Sequence, residues 1–256
     1  MLKKRVMKLL FALLLVALVA GPAMANNLAK HVTVSPNDKG DMLIYPVYFA
    51  ADGLDTNFAV INTSNTLSCV VKVVIRSHHY SQELLDFLIY LSPNDEFKGT
   101  LSFNGANYVM TSTDDSLCVA SGSNPTVYNL ATPCDGVVDT AAYGYVEMFE
   151  ATSFLLPKDA DGTVSKQDII NAYAAVAAVA VNDTPNILTG FAELVFPGAD
   201  YAAYQATMFE DYDNLTILNV AVETILGNGA DNNLCEVEAT LSKNNLAIPY
   251  LSLIHI

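Results

Sequence analysis

The sequence predicts a mainly β protein: an antiparallel β-sandwich with one inserted α-helix near 166–181. Three observations predict it. Short runs rich in β-branched and aromatic residues recur along the chain, separated by Asn, Asp, Gly and Pro turns. One segment repeats its apolar residues at helical spacing. The strand signals follow one another without the alternating helices that a parallel βαβ sheet needs.

The first twenty-five residues stand apart from that pattern. Lys3, Lys4, Arg5 and Lys8 form a basic start, and Leu9 to Ala20 is an unbroken apolar run. Ala23-Met24-Ala25 supplies the small-x-small pattern of a signal-peptidase site. Together they read as a signal peptide over 1–25, cut after Ala25, so the protein is expected to be exported. After Ala20 no apolar run approaches the ~18 residues a membrane span needs. The mature chain is therefore expected to hold no transmembrane span.

Removing 25 of 256 residues leaves 231, enough for one large domain or two small ones. A sandwich surface domain over 26–250 is expected, either as one unit or as two subdomains with the break near 104–140. The signal holds four of the twelve basic residues and none of the 27 acidic ones. The remainder therefore carries eight basic residues and a net charge of −19. That field repels nucleic acid and anionic headgroups, so both are poor partners and no nucleic-acid binding is expected.

The elements follow in order. Met42–Phe49 is an apolar, aromatic run between Gly40-Asp41 and Asp52-Gly53, and Asn57–Asn62 is a shorter one. Cys69–Arg76 is dense in Val and Ile. Leu85–Leu91 ends in the turn Ser92-Pro93-Asn94-Asp95, and Phe97–Phe103 follows with Gly99 as the expected site of a bulge. Asn104–Asp139 is polar and looser, and strand character returns over Ala142–Phe149, with Tyr143, Tyr145 and Phe149 on one face. Ser165 to Asp168 reads as a capping box, ahead of Ile169, Ile170, Tyr173, Val176, Ala177 and Ala180 at helical spacing. Leu188–Phe196 and Tyr201–Met208 are strand-like, and Leu215–Leu226 fits strand or helix.

Four cysteines, Cys69, Cys118, Cys134 and Cys235, form no CxxC pair, which argues against a zinc knuckle or a thioredoxin-type site. In an exported chain an even count suggests disulfides, with three connectivities open. Cys118–Cys134 brackets a Gly/Ser/Asn/Pro loop and is the expected pair, with Cys69–Cys235 by exclusion. Closing the short loop would contribute roughly 3 kcal/mol in the chain-entropy account. The last six residues, Leu251 to Ile256, match what one reading frame of a common sequencing adapter encodes. They are expected to be foreign, and the chain a fragment whose natural sequence continues past Tyr250.

Val60-Ile61-Asn62-Thr63-Ser64, Val71 to Arg76, Ser81 to Phe87 and Tyr90 to Asp95 together resemble a group of exported "cell surface" proteins of proteobacteria. Gly144-Tyr145-Val146-Glu147, Leu188-Thr189-Gly190 and Cys235 to Leu241 extend the likeness over most of the mature chain. The resemblance implies a location, secreted at the bacterial cell surface or in the periplasm, and no chemistry. The Asn-Thr-Ser, the β-branched strand and the Leu-Ser-Pro turn also resemble immunoglobulin-like surface modules, implying a sandwich of that kind.

Candidate site residues are few. Pro157 to Asp168 resembles a calcium loop, with Asp159, Asp161, Thr163, Ser165 and Asp168 as ligands and Gly162 at the bend. Its first ligand position is Pro157, which has no side-chain oxygen, so a solvated turn leading into a capped helix is the favoured reading. His78 and His79 are adjacent, so on a strand they would point to opposite faces; a polar bend is expected. Glu210-Asp211-Tyr212-Asp213 reads as a charged surface loop, although paired carboxylates also serve glycoside hydrolysis. Tyr143, Tyr145, Tyr201, Tyr204 and Tyr212 would suit a sugar platform, or simply half-buried strands. No nucleophile turn supports a Ser-His-Asp triad. The expected protein is thus non-enzymatic and needs no cofactor. It is a structural or adhesive surface protein, a coat or filament subunit whose partners are other surface proteins or itself. A secreted calcium- or carbohydrate-binding module is the alternative, and a hydrolase with an unrecognised site the third reading.

Overall fold

A computed structural model describes residues 33–51, 53–79, 81–117, 126–130, 141–160, 162–176, 185–198 and 200–212. The signal segment, both cysteines of the expected Cys118–Cys134 pair, the ambiguous Leu215–Leu226 run and Leu251 to Ile256 lie outside them. Twelve strands are described: β1 (Thr33–Val34), β2 (Met42–Phe49), β3 (Asp55–Asn62), β4 (Ser68–Ser77), β5 (Glu83–Leu91), β6 (Glu96–Phe103), β7 (Tyr108–Ser112), β8 (Thr126–Asn129), β9 (Tyr143–Phe154), β10 (Leu188–Val195), β11 (Tyr201–Gln205) and β12 (Thr207–Glu210). One helix, α1 (Lys166–Val176), follows β9, and a single 3-10 turn covers Asp115–Leu117.

The strands form two antiparallel six-stranded sheets. The first has the order β1-β12-β2-β9-β4-β5 and the second β11-β10-β3-β6-β7-β8. The expected antiparallel sandwich is the fold. Its core lies between the sheets: Tyr45, Val73, Phe87 and Met148 from the first meet Phe58, Phe97, Leu101 and Met110 from the second. Gly40 and Leu188 exchange backbone hydrogen bonds of 2.9 Å, stitching the first sheet's edge to the second.

Residue chemistry accounts for most of these elements. β4 is a continuous Val/Ile run because it is buried at every position, on both faces. Its inward residues Cys69, Val71, Val73 and Ile75 join the main core. At one end of its outward face Val70 packs with Leu88, Tyr90 and Ala151 under Val164 and Ile169 of the α1 region. Ser165 caps that helix: its Oγ accepts from the Asp168 backbone N at 3.2 Å and donates to Asp168 Oδ2 at 2.7 Å. The Ser165 half of the expected capping box is present, and Asp168 takes its bond from the Ser165 hydroxyl. The helix is described to Val176; the expected remainder to 181 lies outside the described residues.

Several elements differ from expectation. β9 runs on to Phe154 because Ser68 to Val70 of β4 pair with Phe154 to Thr152, past a register shift at Val70/Val71. The polar stretch after 104 supplies β7 and β8 to the second sheet. The run 201–208 is two strands in different sheets, because the chain turns the corner at Ala206. Gly99 is not a bulge: β3 and β6 keep register through Phe58↔Gly99. A Cβ there would lie 2.6 Å from Phe58 Cζ, so the glycine makes room for a ring.

That contact gives a test. Gly99→Ala would gain up to about 1 kcal/mol of backbone entropy. It would also drive a methyl into Phe58, which is held between Tyr45 and Phe97 at ring distances of 6.2 and 6.1 Å. Overpacking wins, and a net loss of about 1–2 kcal/mol is expected. Urea unfolding should show a lower midpoint with unchanged slope; an unchanged or raised midpoint refutes the steric role.

Candidate functional site

Period two on β4 places Val70, Lys72, Val74 and Arg76 on its outward face. Antiparallel register then fixes their neighbours. Arg76 stands opposite Glu83 of β5 and Tyr145 of β9, and Val74 opposite Asp86 and Glu147. Lys72 stands opposite Leu88 and Phe149. A register shift between Ile75 and Arg76 lets Glu83 and Asp86 share the outward face. The result is a buried charge cluster of two cations and three carboxylates.

Its geometry is paired on one side and open on the other. Lys72 Nζ lies 2.5 Å from Asp86 Oδ2, and Arg76 Nε lies 2.5 Å from Glu147 Oε2. Arg76 Nη1 also donates to the Ser81 carbonyl at 3.1 Å. Glu83 faces Arg76 Nη2 at 3.9 Å, and neither of its oxygens has a hydrogen-bond partner among the described residues. Burial works against the Arg76 charge, but Glu147, Tyr145 and Glu83 more than offset it and hold the guanidinium above its ordinary range. Burial dominates at Glu83, with Arg76 opposing; its carboxyl is pushed up to about 7. Glu150, on the same strand as Glu147, is raised in the same direction by burial and then by Asp41.

A second cluster ties the β5–β6 turn to α1. Lys166 Nζ meets Asp95 and donates to Ser116 Oγ at 3.1 Å, with Asp115 at 3.7 Å. Asp95 accepts from the Ser92 and Glu96 backbone at 2.9 and 3.0 Å. Buried Asn62 donates to the Leu67 and Ser92 carbonyls at 2.7 and 2.9 Å, joining two turns. Ser92 Oγ donates to the Val164 carbonyl at 2.8 Å. The first cluster joins three neighbouring strands, and the second joins a turn, the 3-10 segment and the start of the helix.

The predicted site residues are scattered. Asp159 N donates to the Thr163 carbonyl at 2.7 Å and Gly162 N to the Asp159 carbonyl at 2.9 Å, a tight turn with Gly162 at φ +85°. Asp168 is engaged with Ser165 as a helix cap, and Asp161 lies outside the described residues. Among the described residues no three His, Cys, Asp or Glu side chains are gathered to hold a metal. His78 and His79 form the expected polar bend after β4; His78 stacks on Tyr143 with ring centroids 3.6 Å apart. The tyrosines make no single platform. Tyr145 and Tyr212 are buried, Tyr204 donates to the Val47 carbonyl, and exposed Tyr143 and Tyr201 stand on different sheets. Glu210 accepts from Ser35 Oγ at 3.1 Å and Tyr212 N donates to Asp41 Oδ1 at 3.0 Å, so the acidic loop closes one end of the first sheet. Asp213 lies outside the described residues. Cys69 is a free, buried thiol, raised chiefly by burial; Cys118, Cys134 and Cys235 lie outside the described residues.

The remaining surface feature is an edge. β11 ends the second sheet, and the backbone flank away from β10 carries no strand among the described residues. Tyr201 is 71 % exposed there, with Phe191 and Phe196 also exposed on and beside β10. No protein-family model, curated protein or solved structure matches this chain. Sequence reasoning passed over the charge cluster, although Lys72 and Arg76 spaced four apart in a Val/Ile strand signal two cations on one buried face.

Glu83 makes stability depend on pH. Its folded-state pKa lies above that of an unfolded carboxyl, so the folded chain holds the proton between about 4.5 and about 7. Its contribution is therefore lost as pH rises through that window. Glu83→Gln should match the wild type near pH 5 and exceed it at pH 8 by about 1–3 kcal/mol. Urea melts at both pH values check this; a pH-independent difference refutes it.

Proposed function

We propose that the chain is an exported, non-enzymatic structural or adhesive protein of the bacterial surface, working by association through its sheet edges. The observation that supports this best is a sandwich whose edge strand β11 has an outer flank without a strand among the described residues. An edge strand presents unpaired N–H and C=O groups, and a neighbouring strand satisfies them without a dedicated pocket. The N-terminal basic and apolar pattern supports export, and the strongly acidic remainder supports a solvated exterior.

The polar clusters described above fit a scaffold. Lys72, Arg76, Asn62 and Lys166 each join strands or turns that are distant in sequence. Such cross-links stiffen a sandwich that must keep its edges in strand geometry. Partners on this reading are other surface proteins or further copies of the chain.

Expression of the full chain in a bacterial host tests the reading. Expected is a product processed after Ala25, recovered from the periplasm or cell exterior, that forms oligomers by size exclusion with light scattering. An unprocessed cytoplasmic product contradicts export, and a strict monomer that binds no cells contradicts the structural role.

A further inference from the structure

We propose that β11 is a self-docking edge, pairing antiparallel with β11 of a second copy of this chain about a two-fold axis through Ala203. The proposal rests on the assembly reading above and names its surface and its partner.

Among the described residues the edge is preformed and unguarded. β11 keeps unbroken register with β10 from Val195↔Tyr201 to Phe191↔Gln205. Inward-facing Tyr204 donates to the Val47 carbonyl of β2, and Ala206 N donates to the Gly190 carbonyl at 3.0 Å. The strand is thus pinned to both sheets at its C-terminal end. Tyr201, Ala202, Ala203 and Gln205 are exposed. Edge strands are normally protected by Lys, Pro, inward-pointing charge or a bulge. Tyr201-Ala202-Ala203-Tyr204-Gln205 contains none of these.

Charge selects the occupant. Two copies of so acidic a chain repel over most of their surface, but β11 carries no ionisable group beyond its tyrosines. The strand also complements itself. With Ala203 on the axis, Tyr201 faces Gln205 of the second copy, and Ala202 faces Tyr204. Asp200, just outside the strand, faces Ala206 of the second copy, so no like charges are opposed. Glu193, beside Ala203 on β10, is separated from its copy by three strand spacings, about 14 Å. That exceeds the screening length of about 8 Å at physiological salt. Ala202 and Ala203 let the backbones close, and Tyr201 gains cover on its exposed ring. Pairing joins the six-stranded second sheets of two copies into one continuous sheet, with a closed two-fold contact.

A charge-swap experiment tests this. Ala203 is exposed, so Ala203→Glu and Ala203→Lys leave the core untouched, and circular dichroism with urea melts should confirm folding of both. Each variant places like charges on the axis, and the dissociation constant from sedimentation equilibrium should weaken by about tenfold. Mixing the two variants in equal amounts should restore association, because the axis then holds an opposite pair. Variants that associate as tightly as wild type place the contact on another edge and overturn this inference while leaving the assembly reading standing. A mixture no tighter than either variant overturns it likewise. A wild-type chain that stays monomeric at every concentration and salt overturns the assembly reading itself.

Discussion

The distance between the two sheets is set by four aromatic rings, and the rest of the sandwich is arranged around them. Tyr45 of β2 meets Phe58 of β3 edge-on at 6.2 Å; Phe58 meets Phe97 of β6 at 6.1 Å; Phe97 meets Phe87 of β5 at 6.0 Å. The run starts and ends in the first sheet and passes through the second. Such contacts favour tilted and edge-to-face geometry and add about 0.5–1.5 kcal/mol each beyond area burial. Two glycines give the rings room: Gly99 opposite Phe58, and Gly190 beneath the Tyr45 hydroxyl. That hydroxyl donates to the Ala59 carbonyl at 2.7 Å, so the one polar atom in the run is satisfied, and burial then pushes its pKa well up.

A first sheet in which β4, one strand in from the edge, is buried on both faces has a consequence for charge. Lys72 and Arg76 lie on the outward face of β4, away from water, and each needs a carboxylate within reach. The chain is rich in carboxylates and supplies three for two cations. Removing one member of a buried pair leaves an uncompensated charge, which costs more than the pair contributes. Glu83, the surplus carboxylate, escapes that penalty by keeping its proton to about pH 7. The proton is thus part of the fold: it follows from an acidic composition meeting a face that excludes solvent.

Local pattern made the early strands legible. β2 to β6 announce themselves as apolar runs between Gly, Pro, Asn and Asp turns, and Ser165 with Asp168 marks the start of α1, because turn and cap chemistry are local. What stayed hidden depends on partners far along the chain. β7 and β8 lie in a polar stretch and become strands by pairing, β7 with β6 and β8 with β7. Gly99 looks like a bulge until Phe58 is placed opposite it. Ala206 gives no sign in sequence that the chain changes sheets there. The charge cluster was half visible, since the two cations share one strand while their partners come from β5 and β9.

The two long sides of the sandwich are bridged differently, and among the described residues the outer flank of β11 carries no strand. At the β5/β8 side, Tyr128 of β8 stacks on Phe87 of β5 with ring centroids 6.0 Å apart, so aromatic contact bridges the sheets. At the opposite side the chain itself bridges them, running from β11 through Ala206 into β12. In the first sheet β12 is then flanked by the two-residue β1, too short to template a neighbour. In the second sheet β11 keeps its outer flank. The corner itself falls on Ala206, a small residue buried between the two strands. β11, with two alanines and no charged side chain, is thereby left at the end of the second sheet, its outer flank open among the described residues to a strand of the same kind.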